Sequence, residues 1–254
     1  MTTWAEGPML ALDTESTGTD VRSDRIVTAT LASITPGSPP VVRSWLANPG
    51  DDVEIPETAQ AVHGISTERA RAEGRPAVEV IGELVAALAQ QWTPATVLIC
   101  FNAPFDLSLI EYEARRHLDP HRMLEITGPV VDPLVIDKHA DQYRKGKRTL
   151  GALCEHYQVT QDGPHSSDGD ALAAARLAWR MAHCLPAIGG LDPAALHEHQ
   201  EKWHTAQQLG FARYLDQLAS GQADPAEREQ LLVKAKDVRK HAGGWPLRSA
   251  AVTR

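Results

Sequence analysis

The stretch Met9-Leu10-Ala11-Leu12-Asp13-Thr14-Glu15-Ser16-Thr17-Gly18 constrains the rest of the chain most. Four apolar residues lead into Asp-x-Glu, and then the chain turns. Side chains two apart on a strand point to the same face. Asp13 and Glu15 therefore stand side by side at the end of a buried strand. Two carboxylates placed there repel each other and lose solvation, so they need a cation or a proton. The fold must bring further groups to that strand end.

The rest of the pattern is that of an α/β chain. Residues 25–34 and 41–46 read as β-branched strands joined by a Pro-Gly turn at 36–40, and with the first strand they form an antiparallel meander. Residues 76–92 carry Val80, Ile81, Leu84, Val85 and Leu88 at helical spacing. Residues 96–101 are uninterruptedly apolar, as in a sheet covered on both faces. Asn102 is placed to cap the following helix, which runs to about 117, with Pro104 in its first turn. Residues 130–136 read as a strand or a strand-to-helix corner, 149–157 as a short helix and 167–185 as a buried one. Past Gly189-Gly190 the pattern changes to two helices, roughly 192–219 and 225–241, the second with Asp224 as N-cap and Pro225 at its first position.

Composition excludes several classes. No apolar run approaches the roughly 18 residues that cross a bilayer, and no secretory leader is visible. The three cysteines, Cys100, Cys154 and Cys184, are scattered, which is neither a disulfide framework nor a zinc knuckle and points to a reducing cytoplasm. The net charge of −8 opposes nonspecific coating of nucleic acid. Residues 231–254 nevertheless carry six cations against Asp237, leaving the remainder at −13. Such an acidic body can still act on nucleic acid if metal ions neutralise its site.

Three short motifs carry chemistry. An Asp-x-Glu triplet alone is expected about once by chance in a chain of this length. Asn102-Ala103-Pro104-Phe105-Asp106 follows a buried strand and taken alone is an acidic first turn favoured by the helix dipole. His165-Ser166-Ser167-Asp168-Gly169-Asp170 opens a buried helix and taken alone is a capping cluster. Together, in this order and each at the edge of a core element, they resemble the DEDDh 3′–5′ exonucleases. This DnaQ-like family includes proofreading subunits of bacterial replicative polymerases, RNase T and oligoribonuclease. The family's Asp-x-Glu-[Thr/Ser]-Thr-Gly matches Asp13 through Gly18, its Asn-x-x-Phe-Asp matches Asn102 through Asp106, and its His followed by four residues and Asp matches His165 and Asp170. Val62-His63-Gly64-Ile65 and Asp132 also match. The resemblance covers about residues 8–185. Phe101 stands where a histidine often precedes the Asn, and Ser16 replaces the commoner Thr.

The resemblance implies a ribonuclease H-like three-layer α/β fold, a mixed five-stranded sheet flanked by helices, over residues 1–188. Residues 189–254 then form a helical extension with a basic tail. It implies two divalent ions, Mg²⁺ or Mn²⁺, held by Asp13, Glu15, Asp106 and Asp170, with His165 as general base. It places Ser16, Thr17, Gly18, His63, Asn102 and Phe105 at the terminal nucleotide, Phe105 serving either that pocket or the core. The implied activity is release of nucleoside 5′-monophosphates from DNA 3′ ends, single-stranded DNA being the expected partner, in proofreading or repair and in company with a DNA polymerase. The alternatives are an exonuclease on RNA or short oligonucleotides, and a catalytically silent nucleic-acid-binding module on the same fold.

Two weaker signals remain. Arg144-Lys145-Gly146-Lys147-Arg148 is a compact basic loop, either solvated or holding substrate phosphates. His197 through His204 fails the H-E-x-x-H zinc pattern because position 201 is Glu, and reads as a solvated helix face.

Overall fold

A computed structural model describes residues 3–121, 124–161 and 166–248. Its sheet is mixed, in the order β4-β3-β2-β1-β5-β6. Strand β1 (Met9–Ser16) pairs antiparallel with β2 (Ile26–Ile34), which pairs antiparallel with β3 (Val41–Asn48), the expected meander. Helices α1 (Glu57–His63) and α2 (Thr67–Glu73) follow. The sheet has six strands rather than the expected five. Two residues, β4 (Arg75–Pro76), add parallel to β3 before α3 (Ala77–Gln91), and a proline is tolerated there because β4 is an edge.

Strand β5 (Val97–Cys100) lies parallel to β1, and α4 (Ala103–His117) follows it. Strand β6 (Val130–Val131) lies parallel to β5 and leads into α5 (Pro133–Ala140) and α6 (Leu150–Tyr157). Then come α7 (Ser167–Cys184), the single turn α8 (Pro186–Gly189), α9 (Pro193–Gly221) and α10 (Pro225–Lys240). Among the described residues no helix is long and apolar enough to cross a membrane.

The two-residue period of β1 divides the core. Leu10 and Leu12 belong to the cluster shared with α3 and α4, including Leu84, Leu88, Leu107 and Ile110. Met9 and Ala11 belong to the cluster shared with α7, including Ala171, Ala174, Leu177 and Ala178. Strand β5 divides likewise, Leu98 and Cys100 to the first layer, Val97 and Ile99 to the second. Continuing the alternation along β1 sends Asp13 and Glu15 toward α7 and Thr14 toward α4.

The C-terminal helices enter this core. Leu196 of α9 joins the α7 cluster, and Trp245 beyond α10 joins the α3–α4 cluster. The face of α9 expected to be solvated is in part buried against the sheet edge, Gln200 fully and His204 nearly so. An edge strand leaves backbone groups unpaired. Here His197 Nδ1 accepts from Val130 N–H (3.0 Å), and Gln200 donates to Val130 O (2.9 Å) and accepts from Asp132 N–H (2.8 Å). Side chains of α9 thus complete β6 as another strand would.

Candidate active site

Asp13, Glu15 and Asp170 each present a carboxylate oxygen within 4.8 Å of the others. β1 supplies two of them from one face, and the first turn of α7 supplies the third. The anchor is a chain of hydroxyls. Thr30, the register partner of Asp13 on β2, shares hydrogen bonds of 2.8 Å with Ser44 on β3 and with Ser167 on α7. This ties the start of α7 to the sheet three residues before Asp170. Gln161 donates to Asp170 Oδ1 (2.6 Å) and fixes its orientation.

Burial pushes the Asp13 carboxyl well above the usual range, and the charges of Asp106, Glu15 and Asp170 push it further. Burial, then Asp170 and Asp106, raises Glu15 to about 7. Acids so placed are poised for a cation.

Asp106 is close enough to raise Asp13 but stands outside the group of three. It is buried on α4, where Oδ1 accepts both Thr14 N–H (2.9 Å) and Thr14 Oγ1–H (2.7 Å). Burial raises it to about 6, against these bonds and one from the Cys100 thiol, which lower it. The alternation of β1 explains the split: the residue between the two clustered acids faces the other layer and holds the fourth. His165 lies outside the described residues.

The turn from β5 into α4 departs from the expected cap. Asn102 has left-handed backbone (φ 64°), and its side chain makes no capping bond. Asp132 does that work from across the sheet. Its Oδ1 accepts from Asn102 N–H (3.0 Å) and Leu134 N–H (2.9 Å), and Oδ2 from Ala103 N–H (3.0 Å). One buried carboxylate therefore orients the starts of both α4 and α5. Burial still raises its carboxyl, while the three N–H groups and Lys138 pull it down.

Other expected site residues divide. Glu15 and His63 line a cleft of about 390 Å³ with Ser44, Trp45, Ser166 and Ser167. His63 Nδ1 accepts from Ile65 N–H (3.2 Å), and its buried Nε2 has no hydrogen-bond partner among the described residues. Ser16, Thr17 and Gly18 build the turn after β1. Ser16 Oγ donates to Gly18 O (2.6 Å), Thr17 Oγ1 donates to Asp24 Oδ1 (2.8 Å), and a Cβ on Gly18 would meet the Asp24 carboxylate at 2.6 Å. Phe105 packs partly buried against the α3–α4 core. In the basic loop, Arg144 and Arg148 both pair with buried Asp137, and Arg148 also donates to the Asp141 carbonyl. Half of that loop's cations are therefore structural. Thr14, Gln161 and the Thr30–Ser167 link carry no motif; only their placement in the fold reveals them.

A mixed sheet between helical layers, with acids gathered at the end of its central strand, is the ribonuclease H-like α/β architecture. Within it the chain belongs to the RNase_T exonuclease family, whose family model, described as Exonuclease, matches residues 10–178. The PolC-type DNA polymerase III of Streptococcus agalactiae serotype III (strain NEM316) is 27% identical over 173 residues, 68% of this chain and 11% of that polymerase. The same enzyme of Streptococcus sanguinis (strain SK36) is 25% identical over 174 residues, with the same shares. The chain thus spans only a small part of the length of the curated relatives it matches. Escherichia coli exonuclease I, solved with a dA16 oligonucleotide, superposes with a TM-score of 0.60 at 17% identity over 78% of this chain and 44% of its own. Exonuclease I of Methylocaldum szegediense gives 0.56 at 21% identity, over 71% of this chain and 41% of its own.

Proposed function

We propose that this chain is a divalent-metal-dependent 3′–5′ exonuclease that releases nucleoside 5′-monophosphates from DNA 3′ ends. The observation that carries the proposal is the meeting of Asp13, Glu15 and Asp170 within 4.8 Å, at the strand end where their mutual repulsion calls for a cation. The donor set fits the expected ions, since carboxylate oxygens suit hard cations such as Mg²⁺ and Mn²⁺. Two such ions, when bound, polarise the scissile phosphate and acidify water.

The chain's own residues do the rest. Asp13, Glu15 and Asp170 supply the ligands on one face of β1, and Asp106 supplies a further carboxylate from α4. β1 and α7 are packed into one core layer, which holds the ligands in position before substrate arrives. His165, just ahead of α7, takes the proton of the attacking water. The water oxygen bonds to phosphorus, the P–O3′ bond breaks, and the 3′ oxygen leaves with the shortened strand, taking a proton from solvent to become its new 3′-hydroxyl. His63 and the cleft beside Glu15 receive the terminal nucleotide, with Ser16, Thr17, Gly18, Asn102 and Phe105 shaping its surroundings. Residues 1–188 carry this chemistry, and 189–254 serve delivery of the strand.

Single-stranded DNA is the substrate we put first, because the relatives are named as DNA polymerases and exonuclease I has been solved with dA16 and dT13 oligonucleotides. A polymerase is the corresponding partner. The test is purified protein with Mg²⁺ or Mn²⁺ and 5′-end-labelled single-stranded DNA, duplex, mismatched duplex and RNA. Ladders shortened from the 3′ end of DNA, absent in the Asp13→Ala variant, are the expected result. Faster cleavage of RNA would move the substrate, and no cleavage of any strand would overturn the activity.

A further inference from the structure

A cleft of about 550 Å³ lies between α5 and α9, away from the carboxylates. Its walls include Lys138, His139, Trp203, Phe211 and Arg213, and among the described residues no acidic side chain lines it. That is a notable concentration in a chain of net charge −8. Among the described residues neither Lys138 nor Arg213 makes a hydrogen bond or salt bridge; Arg213 is exposed, Lys138 is partly buried in the field of Asp132 and Asp137, and Arg148 on the same wall is paired with Asp137. The aromatic surface is ordered: His139 stacks on Trp203 with centroids 3.8 Å apart and planes 8° from parallel. Phe211 is 41% exposed in the middle of α9.

The cleft is connected to the site. Asp132, which holds the Asn102 turn, begins α5, and Lys138 and His139 sit in the last turn of that helix. On α9, His204 and Gln208 line a smaller cleft of about 160 Å³ together with Asn102. Their neighbours Trp203, Gln207 and Phe211 line the larger one. One helix therefore carries a surface from the end of β5 to the cationic cleft.

Cations beside exposed aromatic faces are the chemistry that grips single-stranded nucleic acid, phosphates by charge and bases by stacking. We propose that the α5–α9 cleft binds the 5′-ward part of the strand whose 3′ end lies at the carboxylates, Lys138 and Arg213 meeting phosphates and Phe211 and His139 meeting bases. The proposal rests on the exonuclease reading and gives the helices beyond residue 189 a role in holding long substrates.

The test uses Arg213→Glu and Phe211→Ala, both exposed positions, in the full chain. Binding of fluorescein-labelled oligo-dT of about three and about twelve nucleotides is followed by anisotropy in EDTA, and cleavage of both is followed with Mg²⁺. Loss of about tenfold for the longer strand in Arg213→Glu, with a salt slope lower by about 1, is expected. Phe211→Ala loses on the order of fivefold. The short oligonucleotide is cleaved by both variants as by the parent protein. Unchanged affinity for the longer strand, in a parent protein that degrades it, overturns the cleft and leaves the exonuclease standing. Equal losses on both lengths also overturn it, since the cleft would then act at the active site. A fluorescein-labelled acidic peptide bound by the parent and lost in Arg213→Glu, with DNA binding unaffected, would assign the cleft to protein instead. A parent protein that cleaves neither length removes the exonuclease reading and this proposal with it.

Discussion

The molecule takes two kinds of carboxylate out of full contact with water, buried ones and half-buried ones, and only the half-buried kind gathers into a site. Asp132 and Asp137 are buried and fully engaged, Asp132 by three backbone N–H groups and Asp137 by Arg144, Arg148 and the Tyr157 hydroxyl. Glu113 is equally buried, accepts from Ile26 N–H and pairs with Arg116. Asp13 and Glu15 have no such partners among the described residues and face each other and Asp170 instead. Burial alone is therefore no sign of chemistry. An acid neutralised by its own chain holds structure together, while an acid left facing other acids reserves its charge for something that binds.

The same chemical change should have opposite consequences in the two sets. Asp13→Asn removes a charge that the folded state holds at a cost. Nucleotide release should fall to background while the metal-free protein becomes more resistant to urea at pH 8. Asp132→Asn replaces an acceptor oxygen with an amide donor facing backbone N–H groups. It should cost about 1–3 kcal/mol for each N–H left unsatisfied, and lower activity through the displaced Asn102 turn. Urea midpoints and end-labelled cleavage, measured side by side, check the pair. Two destabilised variants would erase the distinction.

The distinction also has a pH signature. The Glu15 carboxyl stands at about 7 when folded, above its ordinary 4.5, and Asp106 at about 6, above 3.8. Across those intervals the folded state binds more protons than the unfolded chain, so stability falls as pH rises from about 4 to 7. The metal-free protein should melt at a higher temperature at pH 5.5 than at pH 8. Millimolar Mg²⁺ should raise Tm more at pH 8, where the acids are ionised, than at pH 5.5. A metal-free Tm that does not change between the two pH values would show that the acids are already compensated.

Much of this arrangement is legible in the sequence. The period of β1 puts Asp13 and Glu15 on one face, and the apolar run of β5 requires layers on both sides. What escapes is polarity that the fold buries. His197 and Gln200 look like solvent-facing residues, and nothing in their spacing shows that a bare sheet edge at Val130 will take them. Arg144 and Arg148 look like loop cations because nothing in the sequence marks Asp137 as their buried partner. The sixth strand escapes because Pro76 argues against any strand, and an edge is the one place that tolerates it. Asn102 looks like a cap, yet a left-handed backbone and a carboxylate thirty residues away perform that function. In each case the missing information is a partner brought in by the fold, seven and eleven residues away for Arg144 and Arg148 and much further for the others.

Asp106 falls between the two sets, which makes it the finest test of the contrast. It is buried like Asp132 and takes two bonds from Thr14, yet its charge still reaches Asp13. Thr14→Val preserves shape and the backbone N–H but removes the hydroxyl donor. Loss of one hydrogen bond to an ionised group should cost about 1.5–3 kcal/mol at pH 8, and less at pH 5.5, where Asp106 carries a proton for much of the time. Without that donor the Asp106 carboxyl should titrate above its present value of about 6, so the acid limb of the activity profile should move to higher pH. If Asp106 serves structure alone, stability will fall and the limb will stay where it is. A limb that moves together with stability places Asp106 with the acids that the chain leaves for a cation, held ready from the opposite face of β1 by the residue that separates the other two.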